Sequence, residues 1–247
     1  MQDVKPFLHK RAEFEAVLSE YEVSDRVKKI LASTPCVVLS GVAGGGRNTV
    51  IKYLVDQYSY GFIVSDTTRP PKLRDGQMEQ EGVNYYFRNE EDLLQDLKNG
   101  EFVEAELIHN QQVSGTSIRE VQRIIAMGKT PILDCEFGGA NAIAEAKPDA
   151  VIIGLLPPSY DEWMRRLAGR EEMHSDELRN RLMTAETVLQ NMLSKPYFRF
   201  VVNDTVENCA ESINAIVNHS ETHQNSESAR IIAGDLLNRV KETLAKS

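Results

Sequence analysis

Apolar positions recur along this chain in two rhythms. Phe14, Val17, Leu18 and Tyr21 fall at helical spacing, and Val27, Ile30 and Leu31 do so again after Ser24-Asp25, a natural N-cap. The pattern predicts two short helices within residues 5–33 that pack against the rest of the protein. Cys36-Val-Val-Leu39 is a short β-branched run that reads as a buried strand, and Val50, Ile51 and Leu54 suit one face of a following helix. Strands are expected over 61–65 and 82–87, with a turn-rich loop over 66–75 and a polar loop over 76–80. Asn89-Glu-Glu-Asp92 opens a helix that runs to Lys98 and closes at Asn99-Gly100. Residues 102–108 and 113–116 form an expected hairpin, and 117–127 a helix ended by Gly128. Buried strands follow at 130–135 and 150–157, a helix begins at Ser159, and a helix–loop–helix stretch carries Arg165, Arg166, Arg170, Arg179 and Arg181. A last strand at 200–203 leads into a helix over 206–217. Residues 219–228 hold no apolar side chain and read as a linker. Ile231, Ile232, Leu236, Val240 and Leu244 then mark a C-terminal amphipathic helix.

Composition narrows the class. The chain has 247 residues, 41% hydrophobic and 26% charged, with a formal charge of −9. An acidic balance argues against broad binding to nucleic acid or anionic membranes, which both need a basic field. No apolar run reaches membrane-span length, and Met1-Gln-Asp-Val-Lys-Pro6 has no signal-peptide core. Cys36, Cys135 and Cys209 lie at no metal-ligand spacing, two of them in expected strands. Buried free thiols in a reducing, cytoplasmic setting are the plain expectation.

The candidate chemistry begins between the first strand and its helix. Gly41, Gly44, Gly45 and Gly46 let backbone N–H groups turn inward, and the helix start adds its positive dipole end, so the pair makes an anion cradle. Gly41 and Gly46 fit the phosphate-loop spacing, with Arg47 in place of the lysine, Asn48 in place of the hydroxyl and Thr49 one place later. An ordinary glycine-rich turn is the alternative on this stretch alone. Arg69, Lys72 and Arg74 follow a strand end, where open α/β sheets bind ligands. Asp134 stands at the tip of a buried strand, a position from which such folds orient magnesium and its waters.

Further segments resemble the guanylate kinase family in order and spacing: Val64-Ser-Asp-Thr-Thr-Arg-Pro-Pro-Lys72, Gly82-Val-Asn-Tyr85, Gly100-Glu-Phe-Val-Glu104, Ser114-Gly-Thr-Ser117, Ile132-Leu-Asp134, Leu156-Pro-Pro158, Arg166-Leu-Ala-Gly-Arg170, Arg181-Leu182 and Val202-Asn-Asp204. The resemblance covers residues 35–218. It implies an α/β fold, a three-layer α/β/α P-loop core with a mainly parallel sheet, a nucleoside monophosphate-binding insertion near 66–120 and a lid near 168–182. The helical ends, 1–34 and 219–247, lie outside it. Whether they dock back, dimerise or meet a partner stays open at this level.

The implied activity is transfer of the γ-phosphoryl group of ATP, with Mg²⁺, to GMP or dGMP. By the resemblance Ser65, Arg69, Lys72 and Tyr85 grip the acceptor phosphate, Glu104 and Thr116 read guanine, and Asp134 and Glu136 form the acidic pair after the central strand. Gly41, Ala43, Gly44, Gly45, Gly46, Arg47, Asn48 and Thr49 hold ATP, with Asn203 near the adenine. Arg47, Arg170 and Arg181 are the implied catalytic cations. Asn48 or Thr49, and Asp134 through water, are the implied magnesium contacts. Lys72 stands where the family has an arginine, Glu136 where it has an aspartate, and Ser114 or Val113 where it has a tyrosine. The segment between Lys72 and Tyr85 is longer than the family's. Arg47 and Asn48 also fit a related binding or scaffold module without catalysis, against which Arg170, Arg181 and Asn203 speak. The altered 110–114 loop leaves room for another acceptor nucleotide.

Overall fold

The computed structural model describes residues 8–74, 76–108, 110–168, 175–218 and 224–246. In chain order the elements are α1 (Arg11–Ser19), α2 (Asp25–Ala32), β1 (Val37–Gly41), α3 (Arg47–Gln57), β2 (Tyr60–Phe62), β3 (Asp66–Thr67), β4 (Leu73–Arg74), β5 (Gln77–Met78), β6 (Tyr86–Phe87), α4 (Glu90–Lys98), β7 (Phe102–Ile108), β8 (Gln112–Ser117), α5 (Ile118–Ala126), β9 (Thr130–Asp134), α6 (Phe137–Ala146), β10 (Val151–Leu156), α7 (Tyr160–Ala168), α8 (Ser175–Ser194), β11 (Phe198–Val202), α9 (Val206–Val217) and α10 (Gln224–Lys246). They fall into two compact units. One comprises residues up to Pro35 with Gly61–Pro131 and Asn141–Asp149; the other comprises Cys36–Tyr60, Ile132–Ala140 and the chain from Ala150 onward.

The second unit carries the strands β11-β10-β1, with the Ile132–Asp134 end of β9 beside β1. β1 pairs in parallel with β10 (Val37 opposite Val151) and with β9 (Val37 opposite Ile132), and β10 pairs in parallel with β11. All five residues of β1, Ser40 included, and all six of β10 are buried, as befits mainly apolar central parallel strands. Helices α3 and α9 pack together on one set of strands, and α10 packs on β10 and β11 beside α7 and α8, giving helix, sheet and helix layers. The C-terminal helix thus docks back on its own unit. It does so through Ala229, Ala233, Leu236 and Val240, while Ile231 is 70% exposed. Small alanines allow close approach to α8, which turns the buried stripe away from the isoleucine that the sequence favoured.

The first unit is built on a sheet of order β6-β3-β8-β7. On its apolar face Phe14 of α1 and Leu8 join Leu93, Leu94 and Leu97 of α4 with Phe102 and Val113 in one cluster. The Tyr21 hydroxyl donates to the Phe102 carbonyl at 2.7 Å, and Glu90 accepts from the N–H groups of His9 and Lys10. Ser24 caps α2 by accepting from Val27 N–H, as its position before Asp25 predicts. The N-terminal helices are therefore part of this unit's core.

Several expected boundaries shift. The strand over 61–65 is only Tyr60–Phe62, and that over 82–87 only Tyr86–Phe87. A turn takes the earlier residues, closed by Gly82 N–H donating to the Tyr85 carbonyl at 2.9 Å. The expected loop over 76–80 instead contributes β5, which pairs antiparallel with β4. Helix α6 was not foreseen, because Phe137-Gly-Gly-Ala-Asn-Ala carries little helical periodicity. Residues 224–228 of the expected linker are the first residues of α10. Residues 1–7, 169–174 and 219–223 lie outside the described residues, and with them Arg170 and much of the expected lid; so do the side chains of Arg74 and Ser175.

Candidate active site

The glycine-loop half of the candidate site belongs to the second unit. β1 ends at Gly41, whose backbone lies so close to β10 that a Cβ there would stand 2.4 Å from the Leu155 carbonyl oxygen. The chain then turns through Gly44 and Gly45, and the Gly45 N–H donates to the Val42 carbonyl. Gly46 caps α3 in the left-handed conformation, φ +97°, and a Cβ on it would fall 2.2 Å from Asn203 Nδ2. With no capping side chain, the first-turn N–H groups of α3 remain available to an anion. Asn48 and Thr49 are exposed at that end.

Three side chains that are distant in sequence hold this loop in shape. Buried Asn203 donates through Nδ2 to the Gly45 carbonyl at 2.9 Å, and Trp163 donates through Nε1 to the Ala43 carbonyl at 2.7 Å. Arg166 donates to the Asn203 carbonyl and pairs with Glu162. Asn203 thus serves the loop's backbone directly, a role beyond the adenine contact that the resemblance implies. Trp163 has no place in the sequence motifs, and Arg166 enters them only as the start of the segment through Arg170, with no role of its own. The only trace of the first is that Tyr160, Trp163 and Leu167 share the buried face of α7.

Arg47 does not extend away from the loop. Its guanidinium donates to the Gly41 carbonyl, its Nε lies 2.6 Å from Asp134 Oδ1, and its Nη2 lies 3.7 Å from Glu136. The Nε–Oδ1 contact is an ion pair without hydrogen-bond alignment, since Oδ1 accepts no hydrogen bond among the described residues. Burial pushes the Asp134 carboxyl above the usual aspartate range, Arg47 pulls it back, and Glu136 adds to the rise. The structure thus gathers Gly41, Ala43, Gly44, Gly45, Gly46, Arg47, Asn48, Thr49, Asp134, Glu136 and Asn203 in one unit. Arg181 lies on α8 of the same unit, held by Glu177 at 2.6 Å.

The half around Arg69 and Glu104 belongs to the first unit. β7 and β8 pair antiparallel with Glu104 opposite Thr116 and Glu106 opposite Ser114. Strand alternation sends Val113 into the apolar cluster and Ser114 to the polar face, where its hydroxyl meets Thr67 Oγ1 at 2.7 Å. Of these two residues, Ser114 is the one on the polar face, and Val113 belongs to the core. Glu104 is 9% exposed, and burial pushes its carboxyl up to about 7. The Thr116 hydroxyl and N–H donate to it and oppose that rise, while neighbouring Glu106 adds to it.

Arg69 is 5% exposed and lies with its guanidinium carbon 4.6 Å from the centre of the Tyr85 ring. It makes a two-point ion pair with Glu79, Nη1–Oε2 at 2.5 Å and Nη2–Oε1 at 2.9 Å. Ser65 precedes buried Asp66, which binds Arg88 and Arg119 through Oδ1. Lys72 is exposed, and its backbone N–H donates to Glu79. The sequence reading passed over Glu79, which sits in a polar stretch between Met78 and Gln80. Its one sign was a carboxylate inside a segment otherwise marked by Arg69, Lys72 and Arg74.

A family model for guanylate kinase matches residues 33–220. The chain is 31% identical over 201 residues to guanylate kinase 1 of Oryza sativa subsp. japonica, covering 80% of this chain and 51% of that protein. Guanylate kinase 1 of Arabidopsis thaliana is 33% identical over 180 residues, 72% of this chain and 45% of the relative. The chain thus spans about half the length of these plant relatives. Guanylate kinase of Listeria monocytogenes serotype 4b (strain F2365) is 36% identical over 184 residues, 73% of this chain and 86% of its own. The crystal structure of guanylate kinase from Anaplasma phagocytophilum has the same fold, with a TM-score of 0.56 at 24% identity over 79% of this chain and 90% of that one. The chain belongs to the guanylate kinase family.

Proposed function

We propose that this protein transfers the γ-phosphoryl group of ATP to GMP or dGMP. The observation that carries this reading is the cross-strand pair of Glu104 and Thr116, a buried carboxylate and a hydroxyl held side by side in register. A carboxylate there accepts from guanine N1–H and the 2-amino group. Adenine offers neither donor, so it would leave a buried acceptor unpaired. Ser65, Arg69, Lys72 and Tyr85 supply the hydroxyls and cations for the acceptor phosphate. Phosphoryl transfer depends mainly on positioning and neutralisation of charge, which is what these residue types provide.

On the donor side, the glycine loop and the uncapped start of α3 would receive the ATP phosphates, so the stretch acts as a phosphate loop. The oxygen donors Asn48, Thr49 and Asp134 suit Mg²⁺, a hard cation that keeps several of its waters. Asn48 or Thr49 would hold it directly and Asp134 through water, and once bound it would neutralise charge on the phosphates. Arg47, Arg170 and Arg181 would balance the charge of the transferring group. The substrates, and three cysteines held in no disulfide, fit a reducing, cytoplasmic setting.

A coupled assay of ADP formation with ATP and Mg²⁺, in the presence of GMP, dGMP, AMP or UMP, tests the reading. Turnover is expected with the guanine nucleotides. Preference for another base would overturn the Glu104 assignment. GMP binding without turnover, with activity appearing in Arg47→Lys, would favour the binding module to which Arg47 and Asn48 also point.

A further inference from the structure

The longer segment between Lys72 and Tyr85 contributes a residue that the sequence reading did not place, and its geometry decides how Arg69 meets a ligand. Glu79 is held by the β4–β5 hairpin, its N–H donating to the Lys72 carbonyl at 2.9 Å. Its carboxylate accepts from the Lys72 N–H at 3.0 Å and from both Nη atoms of Arg69. The side chain is 1% exposed, so this is a buried carboxylate facing a buried guanidinium.

Donor counting on Arg69 shows what that arrangement leaves. A guanidinium has five N–H donors in a rigid plane. Among the described residues, Nη1 donates to Glu79 Oε2 and to the Pro70 carbonyl at 3.0 Å, and Nη2 donates once, to Glu79 Oε1. The remaining donors, Nε–H and the second Nη2 proton, lie together on one edge of the plane. That edge is itself a two-point fork of the kind that matches two phosphate oxygens. Stacking on Tyr85 fixes the tilt of the plane. The same carboxylate ties down the backbone of Lys72, the other acceptor-side cation.

We infer that Glu79 is the positioning residue of the acceptor-phosphate grip: by taking one fork of Arg69 and the Lys72 backbone, it aims the second fork of Arg69 at the phosphate of the bound nucleotide. The inference rests on the acceptor reading above and deepens it. Glu79 touches no substrate; it acts through Arg69 and Lys72. A carboxylate that merely stabilised the fold would affect every ligand of this unit equally, whereas one that aims the fork affects only ligands carrying a phosphate.

The test compares GMP with guanosine, which has the same base and sugar without the phosphate. Binding of each is measured by calorimetry on the full chain, for the wild type, Glu79→Gln and Glu79→Asp, beside steady-state KM values for GMP and ATP. Glu79→Gln is expected to weaken GMP at least about tenfold and raise its KM likewise, leaving guanosine affinity and the KM for ATP within about twofold. Glu79→Asp, which keeps the charge on a shorter stem, is expected to recover part of the loss. Should the Gln variant not fold, the Asp variant reads the same ratio of GMP to guanosine. In either variant, equal weakening of both ligands, or GMP binding unchanged or tightened, overturns the inference. Failure of the acceptor reading shows itself separately, as a wild type that binds GMP no better than AMP.

Discussion

The halves proposed to hold donor and acceptor are shaped for opposite reasons. The donor loop is defined by side chains it lacks: Gly41 presses on the Leu155 carbonyl, and Gly46 leaves room for Asn203. Neutral hydrogen bonds from Trp163 and Asn203 hold its Ala43 and Gly45 carbonyls, and Arg47 at the helix start adds a charged tie between Gly41 and Asp134. The acceptor half is defined by buried charge, Glu79 against Arg69 and Glu104 beside Thr116. Backbone closeness tolerates no added atom, while buried charge tolerates no lost partner. The two halves should therefore fail under different substitutions.

Gly46→Ala should have the largest effect. A Cβ 2.2 Å from Asn203 Nδ2, at φ +97°, forces the loop open. We expect turnover to fall at least about a thousandfold, a barrier increase of about 4 kcal/mol, while GMP binding persists. Equal loss of GMP binding in a folded variant would erase the contrast between the halves.

Glu104→Gln should come next, lowering kcat/KM for GMP by about 10²–10⁴ while leaving ATP binding intact. Discrimination against AMP should collapse with it. Retained discrimination would show that guanine is read elsewhere.

The pH profile offers a milder test of the same carboxylate. Burial pushes the Glu104 carboxyl up to about 7, above the ordinary 4.5, and the proposed recognition of guanine would need the charged form. GMP affinity should therefore be full above 7 and fall as pH drops, by up to about tenfold per unit once well below that value. The sign for stability is opposite. The folded state holds this proton over the window from 4.5 to about 7, where the unfolded chain has released it. Rising pH through that window thus costs stability. Titration of the GMP phosphate is separated by repeating the profile with Glu104→Gln, which should lose the Glu104 component; an identical profile in both proteins would remove that carboxylate from recognition.

Trp163→Phe should have the smallest effect. It removes one hydrogen bond to the Ala43 carbonyl, about 1 kcal/mol, and should raise the KM for ATP a few-fold without moving that for GMP. A larger shift in GMP would break the comparison from the other side.

Local patterns carried most of the elements. Helix α9 matches its expected bounds, and β7, β8, α5, β9 and β10 lie within a residue or two of theirs. Residues 82–84 misled because Gly82 starts a turn in what reads as a strand, and α6 was missed because its glycines and alanines hide the helical period. At the candidate site, motif order singled out Arg69, Glu104, Thr116 and Asp134. It gave no hint that Arg69 has a buried partner in Glu79, or that Trp163 holds Ala43.

The sequence by itself determined the strand–glycine loop–helix unit, the hairpin that sets Glu104 beside Thr116, and the family these belong to. Each is written in contiguous residues, where apolar period, glycine conformation and strand register are local properties. Only the tertiary structure decided which fork of Arg69 is taken, which face of α10 is buried, and that Arg47 folds back onto Gly41 and Asp134. Those outcomes depend on which buried donor meets which buried acceptor across the fold, a pairing enforced by the cost of leaving either without a partner.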